Sequence, residues 1–516
     1  MYTLSGIMNI AQQSVNNNQI ALNVVSNNIA NLNTENYTRQ QVEFAAIPPN
    51  TSFSWCSSNG KLLIGQGAEI TGITNKRSDW LDNYFRQQNA PNGYYDSIGG
   101  MLNNMDDLLN DELSANGLQQ KFSDFFAASQ ALSGDPTNTA YKIAFINAAQ
   151  NVSDFLNNMS TTINGYMSQA VGTFGDPDSF ASSQIKLEVD SLDEKLQQLA
   201  DLNNQIAQTP TSNTLLDQRN ALLDELSAMI PLNTTTNPNG TVNVIIDGQT
   251  VVKGGDKRLT VEAVQSDDPN HPVNIQLVDE EGNIKNADIS DSLSNCSISA
   301  ILQAGDGESF GYQSLLNDIN QLAAAFAEEM NRIQTQADAN GTPMYIGPDG
   351  TLVESTTPIF VTKDGSGNFT AGNITINQAL IDDPTLVATA RLDPNAADFD
   401  DKAVGNTGNM DLFNNLAKGN LTGLSLSDPP GEGMSIMDFL SSIVSKIGSG
   451  IASIQNAADA QDAVMQQAQS QRDALYGVDL NQELADLIKF QRSYEASARV
   501  FNTANELMQT IISLGT

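Results

Sequence analysis

The N-terminal segment carries apolar residues at the spacing of a helix that packs along another helix. In residues 4–32 the steps between apolar positions alternate between four and three, and Asn18 fills the one polar position. A 3.5-residue period sustained in this way is typical of a helix seam, and a helix of this length is about 43 Å long at about 1.5 Å per residue. The predicted N-terminal assembly interface is Leu4, Met8, Ala11, Val15, Leu22, Val25, Ile29 and Leu32.

The C-terminal segment repeats this pattern, with Gln491 and Asn505 in the polar positions. Its predicted assembly interface is Leu480, Leu484, Leu487, Tyr494, Ala498, Phe501, Met508 and Ile512. A second stripe widens the apolar surface near the end and consists of Val500, Leu507, Ile511 and Leu514. One partner helix covers one face, so the two stripes indicate packing against several helices.

Two arrangements account for these ends. The terminal helices either pair with each other in an ordinary intramolecular bundle, or stay mobile in the monomer and fold against neighbouring subunits. An isolated helix of this length is marginally stable in water, and each buried Leu, Val or Phe contributes about 1.5–3 kcal/mol only once it is covered. We favour the second arrangement.

Composition excludes several classes of function. The 516 residues correspond to about three structural units, and 24 Lys and Arg against 60 Asp and Glu leave a net charge of −36. Such a chain repels nucleic-acid phosphates and anionic membranes. No apolar run reaches the roughly 18 residues of a membrane span, and residues 1–38 contain no Lys or Arg, which a secretory signal peptide needs.

The residue types that carry most enzyme chemistry are scarce. One histidine and two cysteines exclude Cys/His zinc sites and a disulfide framework, and leave a single Cys56–Cys296 bridge open. His271 lies between prolines in a predicted surface turn, and the acidic run 279–281 reads as a solvated hairpin turn. We therefore expect no catalytic, cofactor-binding or metal-binding residues and no enzymatic activity. The alternatives left open are a hydrolase or an adhesin module in the central region.

Helical periodicity dominates the interior on both sides of a β-rich centre. Helices are predicted over 94–171 with breaks at Gly117 and Pro136, over 184–208 with a stop at Pro210, from Leu215 to Met229 before Pro231, over 311–337, and from Ile443 to about Leu475. Residues 233–303 alternate with a period of two and contain a hairpin turn at Asp247-Gly248; residues 343–432 read as short strands and loops.

These elements predict a multidomain α+β fold. It comprises terminal coiled-coil helices, a discontinuous helical-bundle domain built from both chain halves, and a central mainly-β insertion. The terminal assembly domain is predicted to comprise residues 1–45 and 480–516. The bundle comprises 46–232 and 433–479, and the outer insertion comprises 233–432. In an alternative division, helix 311–337 belongs to the bundle.

The stretch from Ser26 to Arg39 resembles the N-terminal signature of flagellar rod, hook and hook-associated proteins. The residues that match are Ser26, Asn27, Asn28, Ile29, Ala30, Asn31, Asn33, Thr34, Tyr37 and Arg39. Asn36 stands where that family has glycine, and asparagine is the residue that best replaces glycine in a left-handed turn. Residues 477–484 and 490–500 resemble the matching C-terminal signature.

Interior segments narrow the resemblance to the hook-associated protein 1 family. The segments are 215–226, 117–126 with the following Gly134-Asp135-Pro136, and 322–331. The resemblance covers the two ends of the chain well and the middle weakly. Another flagellar axial protein (hook, distal rod or the second junction protein), or a junction protein whose β insertion also acts as an adhesin, is the alternative.

The resemblance implies a structural role outside the cell. Such subunits form a ring at the junction between hook and filament, and their terminal helices form the inner tube of the assembly. The implied partners are other copies of the chain, the hook protein, the second junction protein, a cytoplasmic chaperone on the C-terminal helix, and the flagellar type III export apparatus.

Overall fold

Thirteen α-helices lie in the part of the chain that the computed structural model describes, which is residues 2–48, 55–57, 60–62, 65–113, 117–307, 309–335, 357–390, 405, 407–419 and 434–514. They are α1 Tyr2–Ala30, α2 Asp79–Leu113, α3 Leu118–Gly134, α4 Thr139–Val171, α5 Pro177–Ala181, α6 Gln184–Gln208, α7 Asn213–Met229, α8 Ser297–Leu302, α9 Tyr312–Thr335, α10 Gln378–Asp382, α11 Gly408–Asn415, α12 Ile436–Tyr476 and α13 Leu480–Leu514.

The strands form five small antiparallel sheets in the same described ranges. They are β1 Gln40–Ala46, β2 Trp55–Ser57, β3 Gly60–Leu62, β4 Ala68–Asn75, β5 Asn233–Thr236, β6 Val242–Ile246, β7 Gln249–Lys253, β8 Asp256–Lys257, β9 Leu259–Asp268, β10 His271–Asp279, β11 Ile284–Asn286, β12 Phe360–Thr362 and β13 Ile374–Ile376. The sheet orders are β1-β4, β2-β3, β5-β6-β7-β8, β11-β10-β9 and β12-β13. The predicted α+β character is confirmed.

The helix α6 follows its sequence pattern from end to end. The Ser183 hydroxyl accepts a hydrogen bond from the Lys186 amide and caps the first turn. Six of the seven residues at its near-heptad spacing are buried and Leu202 is half-buried; the buried six are Ile185, Val189, Leu192, Leu196, Leu199 and Ile206. The helix ends at Gln208, just before Pro210. The helix α7 likewise ends at Met229, two residues before Pro231.

The predicted hairpin at Asp247-Gly248 joins β6 and β7. Both turn residues have positive φ, 47° at Asp247 and 72° at Gly248, as a type I′ turn requires. The inward residues Val242, Val244 and Ile246 are buried, which explains the alternation seen in the sequence.

One continuous core joins the bundle helices to the central sheets. At its centre the ring of Phe326 lies 5.0 Å from that of Phe122, 5.4 Å from that of Phe125 and 5.2 Å from that of Phe360. The buried apolar residues of α2–α4, α6, α7, α9 and α12 and those of β6, β7, β9 and β10 belong to the same cluster. The three-domain boundaries therefore stay a prediction, and residues 233–432 contain the helices α8 to α11 as well as strands.

The terminal helices α1 and α13 pack against each other, and the two-stranded ribbon β1-β4 lies beside them. We call these elements the terminal unit. The chain passes from the terminal unit into the bundle at Asn75–Asp79 and returns at Tyr476–Leu480. Within the described part of the chain, every helix is too short or too polar to cross a lipid bilayer.

Candidate assembly interface

Pairing within the chain covers one side of the terminal helices. Ala21 and Val24 of α1 and Ala504 of α13 are buried, and the Ser14 and Ser497 hydroxyls lie 2.7 Å apart across the pair. Of the two arrangements considered from the sequence, the structure therefore shows the intramolecular pair.

The predicted N-terminal interface is spread around this contact. Ala11 and Val25 are buried, Leu32 is exposed, and the others are half-buried, namely Leu4, Met8, Val15, Leu22 and Ile29. Asn18, the polar position of the stripe, is buried and donates a hydrogen bond to the Ser14 carbonyl oxygen at 2.7 Å. The contact with α13 uses part of the predicted face and leaves the rest accessible.

The predicted C-terminal interface divides in the same way. Five of its residues are half-buried, namely Leu487, Tyr494, Ala498, Phe501 and Met508, whereas Leu480, Leu484 and Ile512 are exposed. The described residues of the second stripe, Val500, Leu507 and Ile511, are also exposed. We call Leu480, Leu484 and Ile488 the proximal patch, and Val500, Leu507 and Ile511 the distal patch; these residues are 42–51% exposed.

A buried ion pair fastens the N-terminal signature to the C-terminal one. Arg39 Nε lies 2.5 Å from Glu483 Oε1, Arg39 Nη2 lies 3.2 Å from Asp486 Oδ2, and the Glu483 side chain has no exposed surface. Asn28 Nδ2 donates to Glu483 Oε2 and to the Gln40 carbonyl oxygen, both at 3.0 Å, and Asn28 Oδ1 accepts from the Gln40 amide at 3.0 Å. A buried charge needs such a full set of partners.

The turn after α1 explains most of the remaining signature residues. Tyr37 Oη donates to Asn28 Oδ1 at 2.8 Å, Asn31 Nδ2 donates to the Asn27 carbonyl oxygen at 2.9 Å, and Thr34 Oγ1 donates to Asn31 Oδ1 at 3.1 Å. Asn28 and Arg39 are buried and Ile29, Asn31 and Tyr37 are half-buried, while Ser26, Asn27, Ala30, Asn33 and Thr34 are exposed.

Asn36 adopts the left-handed conformation expected from its place in the signature, with φ of 59°. Asparagine tolerates this region better than other residues with a Cβ atom, so the turn is kept without glycine.

A second charged cluster lies where the terminal unit joins the bundle. Arg77 makes two 3.0 Å contacts with the Asp82 carboxylate, and Arg472 from α12 lies 2.6 Å from Asp224 Oδ2. The Arg77 guanidinium also lies 4.8 Å from the ring centroid of Tyr476, whose hydroxyl donates to the Ser78 carbonyl oxygen at 2.9 Å. This cluster and the Arg39–Glu483 pair together form what we call the joint.

Burial and neighbouring charges set the pKa values of the ionisable groups in and around the joint. Desolvation, together with the charges of Asp217 and Glu483, raises the pKa of Tyr37 to about 12. Burial works to raise the pKa of Asp82, but the hydrogen bond and charge of Arg77 outweigh it and the pKa is lowered. Desolvation raises the pKa of Asp217, whose carboxylate accepts from the Thr38 amide at 3.3 Å and from Asn75 Nδ2 at 2.7 Å.

Sequence reasoning missed several residues of the joint. Arg77, Asp82 and Arg472 lie outside the motifs quoted from the sequence, and Glu483 lies within the C-terminal signature without having been given a role there. Arg77 and Asp82 are only five residues apart, whereas Glu483 and Arg472 have partners hundreds of residues away. The available signal was Arg39, the first basic residue in the sequence, which follows 38 residues without Lys or Arg. Asp217 stood within a segment quoted for its resemblance, but the spacing gave it no role.

The chemistry-bearing residues weighed from the sequence do not assemble into a site. His271 is exposed, with its ring nitrogens 3.5 Å from Asp268 and 3.6 Å from Asp306. Cys296 is a buried free thiol whose pKa is raised by burial. Among the described residues, no group of three or more His, Cys, Asp or Glu side chains could hold a metal ion.

Family models match three parts of the chain. Residues 102–345 match the helical domain of the flagellar hook-associated protein FlgK, residues 469–514 match the C-terminal part of the flagellar basal body rod FlgEFG proteins, and residues 8–38 match the flagella basal body rod protein model. The 8–38 match contains α1 from residue 8 to its end, and the 469–514 match contains the whole of α13.

Whole-chain relatives agree with these models. Flagellar hook-associated protein 1 of Bacillus subtilis is 25% identical over 98% of this chain and 97% of its own length, and that of Escherichia coli is 26% identical over 99% and 100%. The structure of the flagellar hook junction protein FlgK from Burkholderia pseudomallei matches the fold with a TM-score of 0.56 at 12% identity, and covers 77% of this chain and 100% of that one.

Paired terminal helices that carry rod-type signatures and enclose a large interior define an axial protein of the bacterial flagellum. The interior shows which axial protein the chain resembles, because the matching helical-domain model and the full-length relatives are all hook-associated proteins. The chain is similar to flagellar hook-associated protein 1 over nearly its whole length.

Proposed function

We propose that this chain is a structural subunit of the junction between hook and filament, and that neighbouring axial subunits cover the apolar surface its terminal unit leaves exposed. The observation that carries the proposal is the coexistence of a formed α1–α13 pair with the proximal and distal patches. Burying a fully exposed Leu, Ile or Val side chain contributes about 1.5–3 kcal/mol. The six patch residues are about half exposed, so each supplies roughly half of that and together they favour association by several kcal/mol.

The two patches face different directions around α13. Residues of the proximal patch follow each other at intervals of four, whereas the distal patch begins twelve residues after Ile488, which at about 100° per residue turns it well away from the first. One neighbour therefore does not cover both patches. Contact with at least two subunits is the arrangement that a ring or tube of axial proteins provides.

Partners of the exported and unexported chain differ. In the assembled flagellum the partners are other copies, the hook protein and the second junction protein. Before export, a cytoplasmic chaperone covers the same C-terminal apolar residues, and the flagellar type III apparatus carries the chain out of the cell. The exposed C-terminal patches support this part of the proposal, because an exposed apolar helix in the cytoplasm needs cover.

The test compares matched pairs of substitutions. Leu484→Gln with Ile488→Gln removes the proximal patch while keeping good helix formers. The control is Ile143→Gln with Leu187→Gln, which changes the same residue types at comparable exposure on the bundle helices α4 and α6. We expect the first pair to abolish filament growth on hooks and the second to leave it intact. Normal filaments with the first pair contradict the proposal.

A further inference from the structure

A groove of about 920 Å³ separates the terminal unit from the bundle. Ile20 of α1 and Ile73 of β4 line one side, and Thr234 of the edge strand β5 lines the other. Arg219 of α7 lies in the wall between them, so we call this space the Arg219 groove. It is continuous with the exposed surface of α1, because Ile20 belongs to both.

Arg219 differs from the other arginines of the groove. Arg77 is paired with Asp82 and Arg86 with Asp224, whereas no carboxylate of the described residues lies within 4.0 Å of the Arg219 guanidinium. Its Nη atoms donate to the Gly240 carbonyl oxygen and to Asn220 Oδ1, both uncharged acceptors. Its Nε is buried and has no hydrogen-bond partner within the described structure.

The surroundings leave this charge poorly compensated. Desolvation and the charges of Arg86 and Arg77 lower the pKa of Arg219 to about 10, against the opposing charges of Asp79 and Asp82. Asp79 also lines the groove but lies more than 4.0 Å from the Arg219 guanidinium, so it compensates the charge only from a distance. Asp82 is already held by Arg77 and Arg472, and Glu43 on the groove wall accepts a hydrogen bond from Thr74. A half-buried arginine without a carboxylate is costly, and an incoming anion relieves that cost.

We propose that the Arg219 groove receives a carboxylate side chain from a second copy of this chain. The chain carries 60 acidic residues against 24 basic ones, so a neighbouring copy offers many more carboxylates than basic groups. The groove opens beside the exposed Ile20 of α1, whose partner helix α13 carries the two patches on which the proposed assembly places neighbours. The inference rests on the proposed function in that copies must stand side by side.

Carbodiimide cross-linking of Arg219→Lys tests this directly. The reagent joins an amine to a carboxylate in contact with it, with loss of water taken up by the carbodiimide as a urea. Hook–filament junctions assembled from a mixture of isotope-labelled and unlabelled full-length chains separate links between copies from links within one. Lys446–Asp318 and Lys257–Asp193 are contacts within the chain and serve as positive controls in the same digest.

We expect position 219 to be linked to an Asp or Glu of the other isotopic form. A position 219 that links only within its own chain, to Asp79 for example, or remains unlinked overturns the inference. Thr234→Lys places an amine on the opposite wall without disturbing the Arg219 hydrogen bonds, and the same link is expected from it. Links between copies that involve Lys489 of α13 but neither groove position would leave the proposed function standing and overturn the groove contact alone.

Discussion

Glu483→Gln tests the Arg39–Glu483 pair, which holds the terminal unit together at the joint. The substitution keeps the shape of the side chain and removes its charge. Glu483 now accepts from two donors, Arg39 Nε at 2.5 Å and Asn28 Nδ2 at 3.0 Å. Glutamine offers one acceptor, so one of these donors must face an amide N–H group.

The structure bounds the size of the effect. Removing one member of a buried ion pair costs about 3–5 kcal/mol. Arg39 keeps a second carboxylate, Asp486, at 3.2 Å, which places the expected loss at the lower end, about 3 kcal/mol. At about 1.4 kcal/mol per factor of ten, the opening equilibrium of the terminal unit rises about 150-fold.

Amide hydrogen exchange measured by mass spectrometry reads this opening locally. We expect peptides from α1, β1 and α13 to lose protection while peptides from α6 and the phenylalanine core keep theirs. Glu495→Gln, an exposed position on the same helix, is the control and should change nothing. Adding Arg39→Gln to the Glu483→Gln variant should restore part of the loss, since the buried charge is then gone.

Unchanged protection of α1 in Glu483→Gln would refute the reasoning. So would an equal loss of protection over the whole chain, because the pair would then support the bundle and not the terminal unit.

Two further predictions concern the turn and the alkaline limit. Asn36→Ala should lower the protection of the turn after α1 by about 1 kcal/mol, because φ of 59° is costly for alanine. Asn36→Gly should leave this protection within about 0.5 kcal/mol of the parent chain. Equal losses in both variants would contradict the left-handed turn. The folded pKa of Tyr37, about 12, lies above its ordinary value of 10, so its contribution to stability is complete below pH 10 and is lost as the pH rises through 12. Tyr37→Phe should therefore flatten the fall in α1 protection between pH 10 and 12, and an unchanged slope would contradict the assignment.

Local patterns predicted the elements whose signals lie within one segment. The seam of α6, the stop at Pro210 and the Asp247-Gly248 turn each depend on neighbours within a few residues, and the structure confirms them. The left-handed Asn36 was also predictable, because few residue types fit that conformation.

Elements defined by distant partners were not predicted. The strands β1 and β4 pair with each other across an intervening segment, and neither has strict alternation because both faces of the ribbon are partly exposed. The joint brings together residues 444 positions apart, Arg39 and Glu483. The terminal stripes predicted packing but did not decide the partner, since the same heptad spacing suits a helix of the same chain or of another.

The accessibility of Leu507 in the free and assembled chain tests the central claim most directly. A cysteine introduced by Leu507→Cys, in a Cys56→Ser background where the remaining Cys296 thiol is buried, reports whether the distal patch is covered. The account predicts rapid alkylation in the purified chain and strong protection in isolated hook–filament complexes. Equally rapid alkylation in both would contradict it.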